Sequence, residues 1–99
     1  MEIAHSEQNG QLLLTVRGRI DTNSSDSLLD EIEKCILQNP NITLDIQGTD
    51  YISSAGLRVF LAAHKSCLGN GGRLTVKNAG EAAVELFEMT GFYDFLNLE

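Results

Sequence analysis

The chain has 99 residues, 42% of them hydrophobic and 21% charged, a composition that suits one globular core and is short for an enzyme with its own substrate cleft. Seven Lys and Arg against fourteen Asp and Glu leave a formal charge of -7, which opposes both a phosphate backbone and an anionic membrane surface. No apolar run is long enough to cross a bilayer, and the N-terminus lacks the basic stretch and apolar segment of a secretory signal. The expectation is a single domain over residues 1–99, cytoplasmic, with no direct nucleic acid binding and no membrane insertion.

A short strand around residues 2–6 leads to Asn9-Gly10, a hairpin turn signal, and the apolar run 11–17 returns from it as a second strand. Residues 18–23 read as a polar loop. Ser24 or Ser25 then stands where it can cap a helix, on which Leu28, Leu29, Ile32, Cys35 and Ile36 recur on one face. Asn39-Pro40-Asn41 stops that helix. Asp26, Asp30, Glu31 and Glu33 crowd its other side, either as a solvated face or as an acidic patch for a basic partner.

Ile42, Leu44 and Ile46 alternate along a third strand and turn to the core. Residues 48–51 read as a turn, with Ile52 as the last apolar anchor before Ser53-Ser54. A second helix follows, its buried stripe expected at Leu57, Phe60, Leu61, His64 and Leu68, and the glycines of residues 69–72 end it. Residues 73–78 alternate again, with Leu74 and Val76 facing one way. Glu81 opens a third helix carrying Val84, Leu86, Phe87 and Met89, closed by Gly91. Phe92, Phe95 and Leu98 form an apolar tail that packs back on the core or joins the sheet edge. This order argues for an α/β fold with a mixed β-sheet of four or five strands, the hairpin supplying its antiparallel pair.

Several chemistries lack their residues. Gly69, Gly71 and Gly72 follow a helix, so no phosphate-cradling loop between strand and helix is present. Cys35 and Cys67 each sit in an apolar helical pattern and read as buried free thiols, and no paired metal-ligand spacing occurs. No cofactor is implied. Ser54 stands at a strand-to-helix junction, but Ser-Ala-Gly-Leu is not a nucleophile elbow, and His5 and His64 are the only imidazoles, so a serine hydrolase is a minor alternative.

The junction itself is the most informative stretch. Backbone N–H groups at a helix start lack intrahelical partners, and a serine hydroxyl can satisfy one. A phosphate there would bring acceptor oxygens and about two negative charges beside the same donors. Ser53 and Ser54 therefore suit a plain cap and a phosphorylation switch alike. Ala55 and Gly56 are small enough for a kinase or partner to approach closely, and Gly56 costs about 1 kcal/mol of helix propensity. Arg58, in the first turn, can pair with a phosphate or with Asp50, or stand in solvent.

The run Leu44-Asp-Ile-Gln-Gly-Thr-Asp-Tyr-Ile-Ser-Ser-Ala-Gly-Leu-Arg-Val59 resembles the signature of the STAS domain family, and specifically its bacterial anti-sigma factor antagonists. The segments Gly18-Arg-Ile-Asp21-Thr22, Gly72-Arg-Leu-Thr-Val-Lys-Asn78 and Phe87-Glu-Met-Thr-Gly-Phe92 resemble other family elements in the same order. The resemblance implies a STAS-like sheet with helices packed mainly on one face, and a binding protein rather than an enzyme. It implies partner switching. In that scheme an anti-sigma factor that is also a serine kinase phosphorylates the antagonist, the unphosphorylated form binds that kinase, and a metal-dependent serine phosphatase reverses the modification.

In the best-known form of the motif the acceptor directly precedes the glycine. Here that place is Ala55, so the implied acceptor becomes Ser54, with Ser53 as the alternative. Ser53 takes the place where many relatives carry an aspartate, and could serve as a cap or hydrogen-bond partner. The implied partner surface comprises Asp21, Thr22, Asp50, Ser53, Ser54, Ala55, Gly56 and Arg58. Asp21 and Asp50 tune approach or orient a hydroxyl and Asp45 supports the loop, or all three serve only turn hydrogen bonds. Relatives often continue into another helix beyond the tail. A second STAS-like possibility is an accessory subunit of a membrane lipid-transport complex.

Overall fold

A computed structural model describes all of residues 1–99. The hairpin forms as the Asn9-Gly10 signal requires, both residues taking positive φ (53° and 80°) between β1 (Glu2–Gln8) and β2 (Gln11–Ile20). Next come α1 (Ser25–Gln38), β3 (Asn41–Asp45), β4 (Thr49–Ile52), α2 (Ser54–Gly69), β5 (Arg73–Lys77), α3 (Glu81–Thr90), a 3-10 turn at Phe92–Asp94 and β6 (Asn97–Leu98). The sheet runs β1-β2-β3-β5-β6, and β4 pairs with the far end of β2. Only β1 is antiparallel; every other pairing is parallel.

The sheet thus has six strands where four or five were expected. Residues 18–20 and 49–52, read as loop and turn, pair with each other. Neither segment alternates cleanly, because the register shifts between Gly18 and Arg19 and leaves Asp50 without a partner on β2. Thr49 anchors the segment by donating its hydroxyl to the Val16 carbonyl at 3.0 Å.

One core of twenty buried residues joins a face of the sheet to all three helices. Leu14, Val16, Ile42, Leu44, Leu74 and Val76 come from the strands, and Leu28, Ile32, Phe60 and Phe87 from the helices. Phe60 meets Phe87 edge-on at 5.5 Å, locking α3 onto α2. On the opposite face Thr43 and Thr75 are register partners, buried among polar neighbours: the Thr43 hydroxyl donates to the Gln11 side-chain oxygen and the Thr75 hydroxyl accepts from the Asn97 amide.

Two helix stripes differ from expectation. On α2 the buried residues are Gly56, Leu57, Val59, Phe60, Ala63 and Cys67, while Leu68 is 56% exposed and Leu61 and His64 are half-buried. Both stripes obey helical spacing; small Gly56, Ala63 and Cys67 face inward because they let the helix lie close to its neighbours. On α3 only Phe87 is buried and Met89 is 78% exposed. The tail does both things expected of it: Phe92, Phe95 and Leu98 pack against the core, and β6 joins β5. His64 packs against Phe95, the ring centroids 5.0 Å apart and the planes tilted by 46°.

No helix is long and apolar enough to cross a membrane. Cys35 and Cys67 are free and buried. Burial, helped by Glu33, pushes the Cys67 thiol up to about 11, and burial with Glu31 raises Cys35. Unfolded thiols ionise near about 8.5. Above that pH the unfolded chain releases protons the folded chain retains, so stability falls as pH rises toward the folded values. Denaturant midpoints at pH 7 and pH 10 should therefore drop for the wild type, and drop less for Cys67→Ala.

Candidate functional site

The site lies where β2 and β4 end side by side. The Ser53 N–H donates to the Ile20 carbonyl at 2.9 Å, joining the two strand ends directly before α2. Ser53 takes an extended conformation (φ -84°, ψ 177°), and its hydroxyl accepts the Gly56 N–H at 3.1 Å. That is the N-cap arrangement, so of the two serines Ser53 is the cap. Ser54 is the first residue of the helix; its side chain is exposed and its hydroxyl makes no hydrogen bond within the chain.

Gly56 explains why this helix start is held so closely. A Cβ there would stand 2.6 Å from the Ile20 carbonyl oxygen and 3.0 Å from the Ile52 Cγ2. The small residue serves internal packing against the strand ends; it is buried, and so is not a point of close approach for a kinase or partner. Ala55 is half-buried beside it. Arg58 is exposed and makes no ion pair, with Asp50 or with any other group.

Asp21 and Thr22 follow β2 directly, which places them beside the start of α2. Thr22 is exposed. The Asp21 carboxylate organises the turn into α1, accepting the N–H groups of Asn23 at 3.0 Å and Ser24 at 3.2 Å. Desolvation works to raise its pKa, but these hydrogen bonds, the Ser24 hydroxyl and Arg19 hold it below its ordinary value. Ser24 occupies the N-cap position of α1 without capping it; its hydroxyl donates to the Arg19 carbonyl at 2.7 Å and accepts the Asp21 N–H at 3.0 Å.

Asp50, at the register shift, is exposed and free. Asp45 does support its loop, accepting the Gln47 N–H at 3.0 Å and the Asn78 side-chain amide at 3.1 Å. Beside Asp50 a groove of about 390 Å³ opens between β4 and the start of α3, floored by Ile46, Ile52 and Leu86.

No imidazole reaches Ser54. His64 lies ten residues further along α2, about 15 Å at the rise of a helix. His5 on β1 contacts the Cys35 Sγ at 3.7 Å and a Glu31 carboxylate oxygen at 3.3 Å. No cluster of His, Cys, Asp and Glu suited to a metal ion occurs.

The sequence reading missed two residues of this region. Arg19 and Tyr51 are register partners across β2 and β4, and the guanidinium carbon lies 4.3 Å from the ring centroid. Only the strand pairing, itself obscured by the shift at Asp50, brings them together.

A mostly parallel sheet covered on one face, presenting a helix start at its C-terminal edge, is the architecture of a small α/β domain of a known kind. The chain belongs to the STAS domain family, whose model matches residues 2–99. It is 25% identical over 92 residues to the anti-sigma-B factor antagonist of Bacillus subtilis, covering 93% of this chain and 84% of that protein. Its fold matches the crystal structure of an anti-sigma factor antagonist from Mycobacterium paratuberculosis with a TM-score of 0.87, at 20% identity, over 98% of this chain and 83% of that one. It also matches the anti-sigma factor antagonist SpoIIAA in its unphosphorylated form (TM-score 0.82, 14% identity, 99% and 88% covered) and in its phosphorylated form (TM-score 0.75, 14% identity, 99% and 91% covered).

The two serines carry different loads, and this is measurable by urea denaturation. Ser53→Ala should cost about 1 kcal/mol through loss of the cap, whereas Ser54→Ala should stay within about 0.5 kcal/mol of wild type. Gly56→Ala should cost about 1–3 kcal/mol, because the added methyl has no room.

Proposed function

We propose that this protein is an anti-sigma factor antagonist: a single STAS domain that binds an anti-sigma factor in its unphosphorylated form and is released when Ser54 is phosphorylated. The observation that carries the reading is the division of labour at the start of α2. Ser53 spends its hydroxyl on the Gly56 N–H, while Ser54 holds an exposed, unengaged hydroxyl at the same helix end. Relatives named as anti-sigma factor antagonists, one of them known in phosphorylated form, support it.

In this reading Asp21, Thr22, Asp50, Ser53, Ser54, Ala55, Gly56 and Arg58 form or support the partner surface, with Gly56 and Ser53 acting through the seating of the helix. The partner is a serine kinase as well as an anti-sigma factor, and a metal-dependent serine phosphatase restores the binding form, in the cytoplasm.

The unmodified helix end presents a free hydroxyl among small residues. A phosphate on Ser54 sits beside the unpartnered N–H groups of the first helical turn, within reach of Arg58 one turn on, so the folded chain tolerates it. A partner seated there would have to bury that charge without a matching cation, at a cost of several kcal/mol. The modification thus stabilises the free protein and destabilises the complex.

Treatment with the anti-sigma factor and ATP, followed by mass spectrometry, should place phosphate on Ser54. Ser54→Asp should weaken binding by about a hundredfold or more while raising the domain's own stability by about 0.3–1 kcal/mol. Ser54→Ala should bind and resist phosphorylation. Phosphate found only on Ser53, or Ser54→Asp binding as tightly as wild type, would overturn the assignment.

A further inference from the structure

Arg19 and Tyr51 lie one residue before the strand ends that seat α2, yet the switch at Ser54 gives them no task. Ile20 and Ile52 turn into the core, so their neighbours Arg19 and Tyr51 point to the other face of the sheet. Both are open to solvent, the Arg19 side chain at 61% and Tyr51 at 45%. The register shift at Asp50 is what puts them opposite each other.

The guanidinium is oriented but underused. It lies over the Tyr51 ring, and its one polar contact within the chain is a long one, from Nε to an Asp21 carboxylate oxygen at 3.5 Å. Its two terminal nitrogens have no partner. A stacked guanidinium has already lost much of its rotamer freedom, and its free edge matches a carboxylate in two parallel hydrogen bonds. Tyrosine and arginine are also the residue types that most often dominate binding energy at protein interfaces.

Taking the proposed function as its basis, we propose that the Arg19–Tyr51 pair is a second, phosphate-independent contact for the anti-sigma factor, receiving an Asp or Glu side chain of that partner. Charge selects this occupant. The Arg19 guanidinium brings a positive charge with two unpaired terminal nitrogens, which one carboxylate can take together, while the Asp21 carboxylate beside it and the chain's net charge of -7 repel a polyanion. Continuity places it: the Ile20 carbonyl that receives the Ser53 N–H belongs to the residue after Arg19. A partner reaching from Ser54 over the strand ends meets this pair next. Ser54 then sets whether the complex forms, and Arg19 with Tyr51 sets which anti-sigma factor is accepted.

The test uses the full chain and the anti-sigma factor captured on the wild type, identified and purified, with affinities measured by calorimetry on variants shown to be folded by circular dichroism. Arg19→Glu and Tyr51→Ala should each weaken binding about tenfold or more. Arg19→Lys, which keeps the charge and loses the planar fork, should fall between. Replacing the contacted acid of the partner by lysine should restore binding to Arg19→Glu and to no other variant, an effect that general damage to the fold cannot produce. If Arg19→Glu does not fold, Arg19→Gln tests the loss of affinity in its place, with wild-type affinity again overturning the contact. Wild-type affinity in Arg19→Glu and Tyr51→Ala, alongside lost affinity in Ser54→Asp, would overturn this contact and leave the switch standing. Failure of the wild type itself to bind an anti-sigma factor would overturn both.

Discussion

The first turn of α2 rests directly on the ends of two parallel strands, and the candidate site depends on that contact. The Ser53 N–H is donated to the Ile20 carbonyl, and Gly56 faces the same oxygen across a gap too small for a methyl group. One backbone group of β2 therefore fixes the helix in both height and angle. Its unpartnered N–H groups and the Ser54 side chain are left at the rim of the sheet, facing outward. A larger residue at position 56 would meet the Ile20 carbonyl and the Ile52 side chain and push the first turn of the helix off the strand ends.

Around that contact the polar groups divide into those already engaged and those left free. Ser53, Asp21, Ser24 and Asp45 each accept from a backbone N–H and hold it in place, as the hydrogen bonds of their turns show. Ser54, Thr22, Asp50 and Arg58 are exposed instead. The engaged set makes the rim rigid; the exposed set gives it chemistry. A rigid rim matters for a phosphate-controlled contact, because a charge placed on a mobile segment can swing away from an interface, whereas one on a seated helix end cannot.

Much of this was legible in the sequence because it depends on local chemistry. The Asn9-Gly10 turn, the alternation at Ile42, Leu44 and Ile46, the stop at Pro40 and the free buried thiols follow from preferences that hold within a few residues. So does a serine cap at the start of α2. The motif around Ser53-Ser54-Ala55-Gly56 added the family, since its residue order is specific even where single residues are not.

What the sequence by itself determined was the order of every element but β4, the α/β class and the pair of serines at a helix start. Tertiary structure decided the rest. It made a strand of residues 49–52, because their partner on β2 lies about thirty residues away and the shift at Asp50 breaks the alternation that would reveal it. It turned Ala63 and Cys67 inward and Leu68 outward, since two stripes of equal period compete and only the closeness of the neighbouring layer chooses between them. It also separated Ser53 from Ser54. Adjacent serines look alike in a sequence, but only one can point its hydroxyl back at the Gly56 N–H, and the carbonyl of Ile20 selects which.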